Sequence, residues 1–532
     1  MNLLFVSPCS EKEVAELTFL SPPLGVVRLA GFLSARGHNA EYYDPNLHMI
    51  TGDGPSFDDV LTKTEWDYIG FSVLEETLEN DLMGMYHAKK LCPGSNIIAG
   101  GIEAQFNYQT ILDKSPCELV VIGEGEIPLL KLADGEPLQD IPGIVFKSNA
   151  RPLSQELFNE ATSTIQWEAL PYEEYWNFYL QAYGDKLTPA VDNAIRTVRV
   201  FSRNRCPIGC KYCSSTNQLT WGSDTKVPVI SADEDNLITV VERVVASHPD
   251  VKTIYFTDDD FCINKRSVIR FCEKVVEKDF GDLTFLSFAR ITDLSEEMVK
   301  WMSKANFRQL NIGVENFSQT VLEEVGKICD ADRIHTGLAL LKKYGIEPYF
   351  NIILITPQTT IDDIELTIDT TMYYVLDEFF HAGIISAIVP LKGTEFAEMY
   401  SDYKTHLRPL EGTNYTIKKE EMIWAEDPIV RELQKLYTES VDEEVGRRVR
   451  EEGIVHKSGQ NVALIKLRYM KQLILEMREK HGLPPGVAVQ RPEGTLIEQG
   501  VRLSKVEPVS PQSLAASEGD NSIVPDRGFG HF

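Results

Sequence analysis

One stretch of this 532-residue chain decides its fold: Ser202-Arg-Asn-Arg-Cys206-Pro-Ile-Gly-Cys210-Lys-Tyr-Cys213. Its three thiols have C-x3-C-x2-C spacing and directly follow a predicted strand, Thr197–Ser202. Because they share one tight loop, they can converge on one centre. The neighbouring cations Arg203, Arg205 and Lys211 favour the thiolate form, which is the form that binds metal. The spacing therefore predicts a metal or cluster site on a strand-to-helix loop.

The ligand count favours one kind of centre. A structural zinc site normally has four protein ligands, and no fourth Cys or His follows Cys213 at a suitable short spacing. Iron–sulfur clusters are held by cysteine thiolates, and a four-iron cluster can accept three of them and leave one iron open. Zinc and three reduced thiols without a metal are the alternatives to this interpretation.

From Thr197 onward, predicted strands and helices alternate along the sequence. Six such repeats predict a second open sheet or a partial (β/α)6 barrel, with functional residues at the carboxyl ends of the strands. The predicted strands are Thr197–Ser202, Thr253–Thr257, Thr284–Ala289, Gln309–Gly313, Tyr349–Ile355 and Gly383–Val389.

The first 150 residues alternate in the same way, with short apolar runs between amphipathic helices. This pattern predicts a separate doubly wound, flavodoxin-like parallel sheet, so the whole chain is of the α/β class. Glycines follow two of its strands, at the edge where such sheets bind ligands. The predicted strands are Asn2–Val6, Ala40–Tyr43, Tyr68–Val73, Asn96–Ala99 and Leu119–Ile122.

A chain of this length exceeds a single hydrophobic core. The sequence predicts a first domain over 1–150 and an irregular, aromatic-rich linker over 151–195. It then predicts a barrel over 196–405, a small helical cap over 406–482 and a disordered tail over 483–532, where the composition turns polar and rich in Pro, Ser and Gly.

Charge and cysteine content exclude several classes of protein. The chain has 52 Lys and Arg against 80 Asp and Glu, a net charge of −28, which argues against a nucleic-acid partner. Nine cysteines are too few for a disulfide scaffold, and no apolar run is long enough to span a membrane. The N-terminus lacks a basic region before its apolar run, so no signal peptide is predicted. A cytoplasmic protein is expected.

The cysteine spacing after the first strand of a βα barrel resembles that of the radical S-adenosylmethionine (SAM) superfamily, and Tyr212 before the third cysteine fits the family pattern. The resemblance implies that Cys206, Cys210 and Cys213 bind a [4Fe–4S] cluster. It further implies that the open iron chelates SAM, whose reductive cleavage yields a 5′-deoxyadenosyl radical.

The resemblance also implies SAM-binding residues at the strand ends. An acidic run, Thr257-Asp-Asp-Asp260, stands where many members of the superfamily have Gly-Gly-Glu. The predicted contacts to SAM are made by Tyr212, Asp258, Asp259, Arg290 and Glu315. Cys262, just beyond the acidic run, is a candidate catalytic residue.

The first domain resembles that of the cobalamin-binding radical SAM group. The matching features are Pro22-Pro23-Leu24-Gly25, Arg36-Gly37-His38 and the glycines after two strands. The D-x-H-x-x-G motif of proteins that ligate cobalt through histidine is missing. Either the lower face of the cobalt has no His ligand or the domain has lost its cofactor. Cobalamin is expected near Gly100, Gly101, Gly123 and Gly125.

The resemblance predicts a cobalamin-dependent methyltransferase that acts on an unactivated carbon of a small-molecule or peptide substrate. A radical rearrangement, cyclisation, dehydration or epimerisation without methyl transfer is the alternative. The net negative charge of the chain argues against a tRNA-modifying enzyme. The acidic residues present at the strand ends argue against a non-catalytic cluster or corrinoid carrier. A reductant protein such as flavodoxin or ferredoxin is the expected partner.

Overall fold

The structure is a computed structural model that describes residues 1–144, 149–223, 225–451 and 459–486. Its first unit is a parallel five-stranded sheet in the order β2-β1-β3-β4-β5, as the sequence predicts. Its strands are β1 Asn2–Val6, β2 Asn39–Tyr43, β3 Tyr68–Ser72, β4 Asn96–Gly100 and β5 Leu119–Val120.

Helices cover both faces of this sheet, which explains why its strands are nearly continuous apolar runs. Leu4 and Ile69 belong to the core on one face, and Leu3 and Phe5 to the core on the other. The helices are α1 Lys12–Leu17, α2 Leu24–Ser34, α3 Pro45–Thr51, α4 Phe57–Thr62, α5 Leu78–Leu91, α6 Ile102–Phe106, α7 Tyr108–Lys114 and α8 Glu126–Ala133.

The linker is helical, and the prediction of an irregular segment over 151–195 was wrong. It contains α9 Gln155–Ser163, α10 Tyr172–Tyr183 and α11 Pro189–Ile195. In α10 the aromatic residues recur at helical spacing, so Tyr172, Tyr175 and Tyr179 form one buried face. The Tyr175 hydroxyl donates to Asp44 of the first unit at 2.6 Å. The linker therefore packs firmly against the first domain.

The second unit is a six-stranded parallel sheet in which every strand pairs with its neighbours in the sequence. The first and last strands lie at opposite edges, so the sheet is a partial barrel, as predicted. Its strands are β6 Thr197–Val200, β7 Thr253–Phe256, β8 Thr284–Arg290, β9 Phe307–Glu315, β10 Glu347–Ile355 and β11 His381–Ala387.

Helices pack on the outer face of this sheet, where the largest core of the molecule lies. The α-helices are α12 Ser214–Trp221, α13 Glu234–Ser247, α14 Lys265–Lys278, α15 Glu296–Lys304, α16 Gln319–Glu324, α17 Ala331–Lys343, α18 Ile361–Val375 and α19 Glu395–Met399. The 3-10 helices among the described residues are Leu138–Asp140, Trp167–Ala169, Gly184–Lys186, Phe261–Ile263 and Ile291–Asp293.

The carboxyl-terminal region is not entirely helical, which corrects the prediction for 406–482. It begins with an antiparallel hairpin of β12 Tyr403–Pro409 and β13 Thr416–Ile423. Most of the hairpin is exposed and polar, so it has no apolar alternation for a sequence pattern to detect.

Two long helices, α20 Pro428–Glu451 and α21 Gly459–His481, follow the hairpin. Residues of α21 such as Leu467 and Ile474 join the core of the second unit. None of the described helices combines the length and the apolar composition that a membrane span needs. The predicted disordered tail, 483–532, falls outside the described residues from position 487 onward.

Candidate active site

The cysteine loop, residues 201–213, joins β6 to α12. Cys206 and Cys210 are buried and Cys213 is half-buried. The loop is fixed from two sides at Lys211, whose N–H donates to the Val325 carbonyl at 3.2 Å and whose carbonyl accepts the Phe396 N–H at 3.0 Å. The three predicted ligands therefore lie on a backbone that other parts of the barrel hold in place.

Two carboxylates after β7 also position this loop. Asp258 accepts the N–H groups of Ser202 and Arg203 at 2.8 and 2.7 Å, and also the Ser202 hydroxyl. Asp259 accepts hydrogen bonds from the Cys206 N–H and from Ser215. Burial raises the pKa of Asp258 to about 6. Both predicted SAM contacts thus serve as acceptors for the cysteine loop.

The third carboxylate of the acidic run lies in a different environment. The carboxyl group of Asp260 is hydrogen-bonded to the carboxyl group of Asp293, whereas the buried Arg290 Nε has no hydrogen-bond partner among the described residues. Burial and this contact with Asp293 raise the pKa of Asp260 to about 8. Arg290 Nη1 lies 3.7 Å from Asp293 Oδ2. The carboxyl end of β8 therefore presents an open hydrogen-bond donor.

Glu315 ends β9 with a φ of 67°, a left-handed conformation that is rare outside glycine. Its carboxylate accepts from Lys327 Nζ at 2.6 Å, and both side chains are buried. The Tyr212 hydroxyl is hydrogen-bonded to the same carboxylate, and burial with this carboxylate raises the pKa of Tyr212 far above its usual range. Glu315 thus contacts the cysteine loop through Tyr212, and its contact with SAM stays a prediction.

The thiols lie in an environment that opposes the free thiolate. Burial raises the pKa of Cys206 to about 12 and also raises the pKa of Cys210. In the described part of the chain, no three Cys, His, Asp or Glu side chains are placed to hold a single metal ion. The ligands of an iron–sulfur cluster lie farther apart than those of a single ion, because the cluster is wider than one ion.

The four glycines predicted to lie near cobalamin differ in backbone conformation and in their contacts. Gly101 has a φ of 92°, and a Cβ there would lie 2.7 Å from the Val73 carbonyl oxygen. Gly123 has a φ of 78°, and its N–H donates to Gln105 Oε1 at 3.0 Å. Gly125 packs against Leu29, whereas Gly100 has nothing closer than ordinary contact distance. The backbone itself requires glycine at 101 and 123.

The carboxyl edge of the first sheet contacts the second unit directly. The Gln105 side-chain amide donates to the Gln218 carbonyl in α12, so one residue joins that helix to Gly123. Lys392, after β11, donates to Glu103 in α6 at 2.6 Å. The helix that follows the cysteine loop therefore docks on the glycine-rich edge of the first sheet.

Cys262 is only 1% exposed and belongs to the main core, with its Sγ 4.0 Å from Met302 Sδ. Burial raises its pKa well above the usual range, and the carboxylate of Asp260 adds to that rise. This environment disfavours a thiolate nucleophile. The catalytic role of Cys262 stays a prediction.

Comparison with protein families identifies the two units. The Radical SAM superfamily matches residues 200–371, and the B12 binding domain matches residues 13–133. The chain contains a radical SAM domain. Its first sheet is a B12-binding domain of flavodoxin-like topology, and its second is the radical SAM domain. The implied cofactors are a [4Fe–4S] cluster, SAM and cobalamin.

Curated relatives of this radical SAM protein differ in activity. An anaerobic magnesium-protoporphyrin IX monomethyl ester cyclase of Rubrivivax gelatinosus is 25% identical over 383 residues. That match covers 69% of this chain and 65% of the cyclase, which is just under two thirds of its length. An uncharacterized methyltransferase of Pyrococcus horikoshii is 24% identical, with 69% of this chain and 77% of the relative covered.

Solved structures share the architecture. The cobalamin-dependent SAM radical enzyme OxsB with aqua-cobalamin bound aligns with a TM-score of 0.65 and 14% identity, over 91% of this chain and 76% of OxsB. The radical SAM methyltransferase TsrM from Kitasatospora setae, with tryptophan and a SAM analog bound, aligns with a TM-score of 0.58 and 14% identity. That match covers 77% of this chain and 79% of TsrM. At these identities the likeness establishes the fold.

The residues of the radical SAM domain fit the implied groups. SAM has a carboxylate group, and Arg290 Nε offers a buried donor without a partner among the described residues. A cluster needs thiolates, and the fixed loop supplies three cysteines within eight residues of sequence. On the first sheet, a Cβ on Gly100 would have only the Val121 carbonyl oxygen near it, at 3.8 Å, so the carboxyl edge has room there.

Sequence reasoning missed several residues at this site. Lys327 and Gln105 lie far in the sequence from the groups they contact, and neither belongs to a motif. The sequence signal for Lys327 is weak: it follows Gly326, and a glycine just after a helix is typical of a helix end. The docking of α12 on the first domain had no sequence signal.

Proposed function

We propose that this radical SAM protein is a cobalamin-dependent methyltransferase acting on an unactivated carbon of a small-molecule or peptide substrate. The observation that carries the proposal is the contact of α12, directly after Cys213, with Gln105, which also accepts the Gly123 N–H at the edge of the B12-binding domain. A methyl group transferred from cobalamin must reach a substrate radical, so the two cofactor sites must adjoin.

The proposed roles follow from the contacts. Cys206, Cys210 and Cys213 would hold the cluster, while Asp258 and Asp259 fix the loop that carries them. Arg290, Glu315 and Tyr212 would contact SAM, and Arg290 Nε has no partner among the described residues. Gly100, Gly101, Gly123 and Gly125 would border the cobalamin. When bound, SAM on the cluster would supply a 5′-deoxyadenosyl radical, and cobalamin would supply a transferable methyl group.

The chain's own residues would exclude water and orient the substrate. Strand β9 contributes Asn311, which is 1% exposed and whose Nδ2 has no partner among the described residues. In the sheet register Asn311 pairs with Phe288 and Tyr349, one layer below Arg290. Asn311 is buried and its two register partners are half-buried, so this layer offers a hydrogen-bonding amide to a substrate.

A cyclisation without methyl transfer is the second candidate, favoured by the likeness to the Rubrivivax gelatinosus cyclase. The two reactions differ in stoichiometry. Methyl transfer consumes SAM as a methyl donor and forms S-adenosylhomocysteine in addition to 5′-deoxyadenosine. Cyclisation through the radical alone forms 5′-deoxyadenosine and no S-adenosylhomocysteine.

The test is anaerobic reconstitution of the full chain with iron, sulfide and cobalamin, followed by reaction with methyl-deuterated SAM and a low-potential reductant. We expect 5′-deoxyadenosine, S-adenosylhomocysteine and cobalamin absorption bands in the purified protein. Cys206→Ala should abolish cluster absorption and 5′-deoxyadenosine, whereas Cys92→Ala, in the first domain, should retain both. Formation of 5′-deoxyadenosine without S-adenosylhomocysteine, and without label transfer to methylcobalamin, would overturn methyl transfer.

A further inference from the structure

The side chain of Ile328 projects from the surface in the loop between α16 and α17. It is 85% exposed, more than any other large apolar side chain among the described residues. In this position it contributes nothing to the hydrophobic core. Burial against a partner protein would remove its apolar surface from water, which is favourable.

The turn that carries Ile328 is fixed, so the exposure is built into the fold. Gly326 has a φ of 73°, and the Lys327 N–H donates to the Leu322 carbonyl at 2.8 Å. This hydrogen bond completes a Schellman motif, which reverses the chain at the end of α16. Lys327 then turns inward and donates to Glu315 at 2.6 Å. Ile328, the next residue, is held on the outside.

This turn lies against the cysteine loop. The Lys211 N–H donates to the Val325 carbonyl at 3.2 Å, and a Cβ on Gly326 would lie 3.0 Å from Lys211 Cγ. Lys211 directly follows the predicted cluster ligand Cys210. The Cα of Ile328 lies within about 7 Å of that of Gly326, because two residues span no more than that. Ile328 therefore marks the protein surface beside the cluster-binding loop.

The other flank of the cysteine loop also reaches the surface. Arg205 Nη1 donates to the Val227 carbonyl at 3.1 Å, which holds the segment after α12 against the loop. In that segment Lys226 is exposed and Val229 is 39% exposed. Pro207, between the first two cysteines, is exposed as well. The surface around the loop thus combines apolar side chains with cations.

This part of the chain is basic in an otherwise acidic protein. Residues 203–231 have a net charge of +3, whereas the whole chain has a net charge of −28. The ionised side chains of the segment are Arg203, Arg205, Lys211, Lys226 and Asp224. Glu395 lies 3.8 Å from Lys211 and offsets its charge in part. A local basic surface steers an acidic protein toward it and speeds their encounter.

We propose that Ile328 and the basic flank of the cysteine loop form the docking surface for an acidic flavodoxin that reduces the cluster. The proposal rests on the assignment of the cluster to this loop. The flavin hydroquinone loses one electron and the cluster gains it, with no proton or group transferred. Electron transfer slows steeply with distance, so the donor must dock beside the cluster.

The size and chemistry of this surface fit such a partner. Electron-transfer complexes have small interfaces, below about 1,200 Å². One well-placed apolar anchor within a polar rim can supply much of the binding energy of an interface. The ring edge of a flavin is apolar and can contact Ile328, which favours a flavodoxin over a ferredoxin as the partner.

The test measures how fast reduced flavodoxin reduces the cluster of the anaerobically reconstituted full-length protein, by stopped-flow absorbance. Dithionite is the comparison, because it needs no docking surface. Ile328→Asp should lower the second-order rate constant with flavodoxin about tenfold, as expected for the loss of one anchor contact. Lys226→Glu should lower it about threefold at low ionic strength and much less at about 1 M salt, where charges are screened.

Two control variants make the same chemical changes elsewhere. Leu407→Asp matches Ile328→Asp, because Leu407 is 61% exposed on the hairpin, where the adjacent Arg408 pairs with Glu79 of the first domain. Lys90→Glu matches Lys226→Glu, because Lys90 is exposed on α5. Both controls should be reduced by flavodoxin at the wild-type rate.

Binding is measured separately by calorimetry with oxidised flavodoxin, which involves no turnover. Ile328→Asp and Ile328→Ser should both weaken binding. The serine variant introduces no carboxylate, so it distinguishes loss of the apolar contact from new charge repulsion. Ile328 contributes nothing to the core, so both variants should fold and bind a full cluster.

Several outcomes would contradict the proposal. They are wild-type rates and affinities in both Ile328 variants, an equal loss in Leu407→Asp, and an equal loss with dithionite, which would show damage to the cluster instead. A response of the Ile328 variants to reduced ferredoxin but not to flavodoxin would show that the flavin partner is wrong. A wild-type protein without a cluster that dithionite can reduce would instead overturn the proposed function.

Discussion

The indole ring of Trp221 packs edge-on against the phenyl ring of Phe106, with 5.2 Å between the ring centroids and 69° between the planes. Trp221 is the last residue of the helix that follows the cysteine loop, and Phe106 ends a helix at the carboxyl edge of the first sheet. The contact therefore joins the radical SAM domain to the B12-binding domain at the edges where both are expected to bind cofactors.

This aromatic contact should contribute measurable coupling. Phe106→Leu and Trp221→Leu, made singly and together, should show a coupling free energy of about 1 kcal/mol, because edge-to-face pairs add about 0.5–1.5 kcal/mol beyond area burial. Urea denaturation followed by circular dichroism measures it. Additive effects of the two substitutions would show that the rings make no specific interaction.

The ion pair between Lys392 and Glu103 should be a strong link between the domains. Lys392→Met leaves the Glu103 carboxylate, which is 2% exposed, without its cation, and removing one partner of a buried pair costs about 3–5 kcal/mol. We expect a loss of that order in the free energy of unfolding. Lys63→Met is the control, since Lys63 and Glu41 form an exposed pair at 2.7 Å that should contribute less than about 1 kcal/mol. Equal losses in the two variants would refute the role of burial.

Gly101→Ala should disturb the edge of the first sheet where we propose that cobalamin binds. The substitution combines a φ of 92° with a Cβ only 2.7 Å from the Val73 carbonyl oxygen, so we expect destabilisation above about 1 kcal/mol and weaker cobalamin absorption after reconstitution. Gly94→Ala is the matched control, because nothing lies within 4 Å of a Cβ there. Normal cobalamin retention by Gly101→Ala would show that this loop does not border the cofactor.

The buried carboxyl group of Asp81 should make stability depend on pH. Burial raises the pKa of Asp81 to about 8. Hydrogen bonds from Thr77 and Cys9 lower this pKa, but their effect is smaller than that of burial. The folded state therefore keeps a proton that the unfolded state releases near pH 4, and stability falls as pH rises through about 8. The slope for one such group is about 1.4 kcal/mol per pH unit.

Asp81→Asn removes this titration, so the decline in unfolding free energy between pH 6 and 8 should become shallower than in wild type. Denaturation curves at several pH values measure the change. Asp113→Asn, at an exposed position, should leave the decline as it is. An unchanged slope in Asp81→Asn would mean that another group carries the pH dependence.

Local periodicity predicted much of the fold. The strand Asn2–Val6 was predicted with its exact ends, since an apolar run bounded by Pro8 can pair only as a strand in a βα unit. The hairpin of β12 and β13 was not predicted, because its exposed strands have no apolar alternation and it is held by Leu410 and Tyr415 in the core of the first domain. This contact forms only when the carboxyl-terminal region packs against the first domain.

The sequence by itself determined the chemistry that is available: three thiols at fixed spacing on one loop, and two βα units that identify a radical SAM domain and a B12-binding domain. The spacing of cysteines within one loop is a local property, so it can be read directly from the linear sequence. Tertiary structure alone decided what surrounds those thiols. It assigned Asp258 to the loop backbone, turned Lys327 toward Glu315, and placed Gln105 against the helix after Cys213. These pairs are 12 to 113 residues apart, and only the packing of complete strands and helices brings them together.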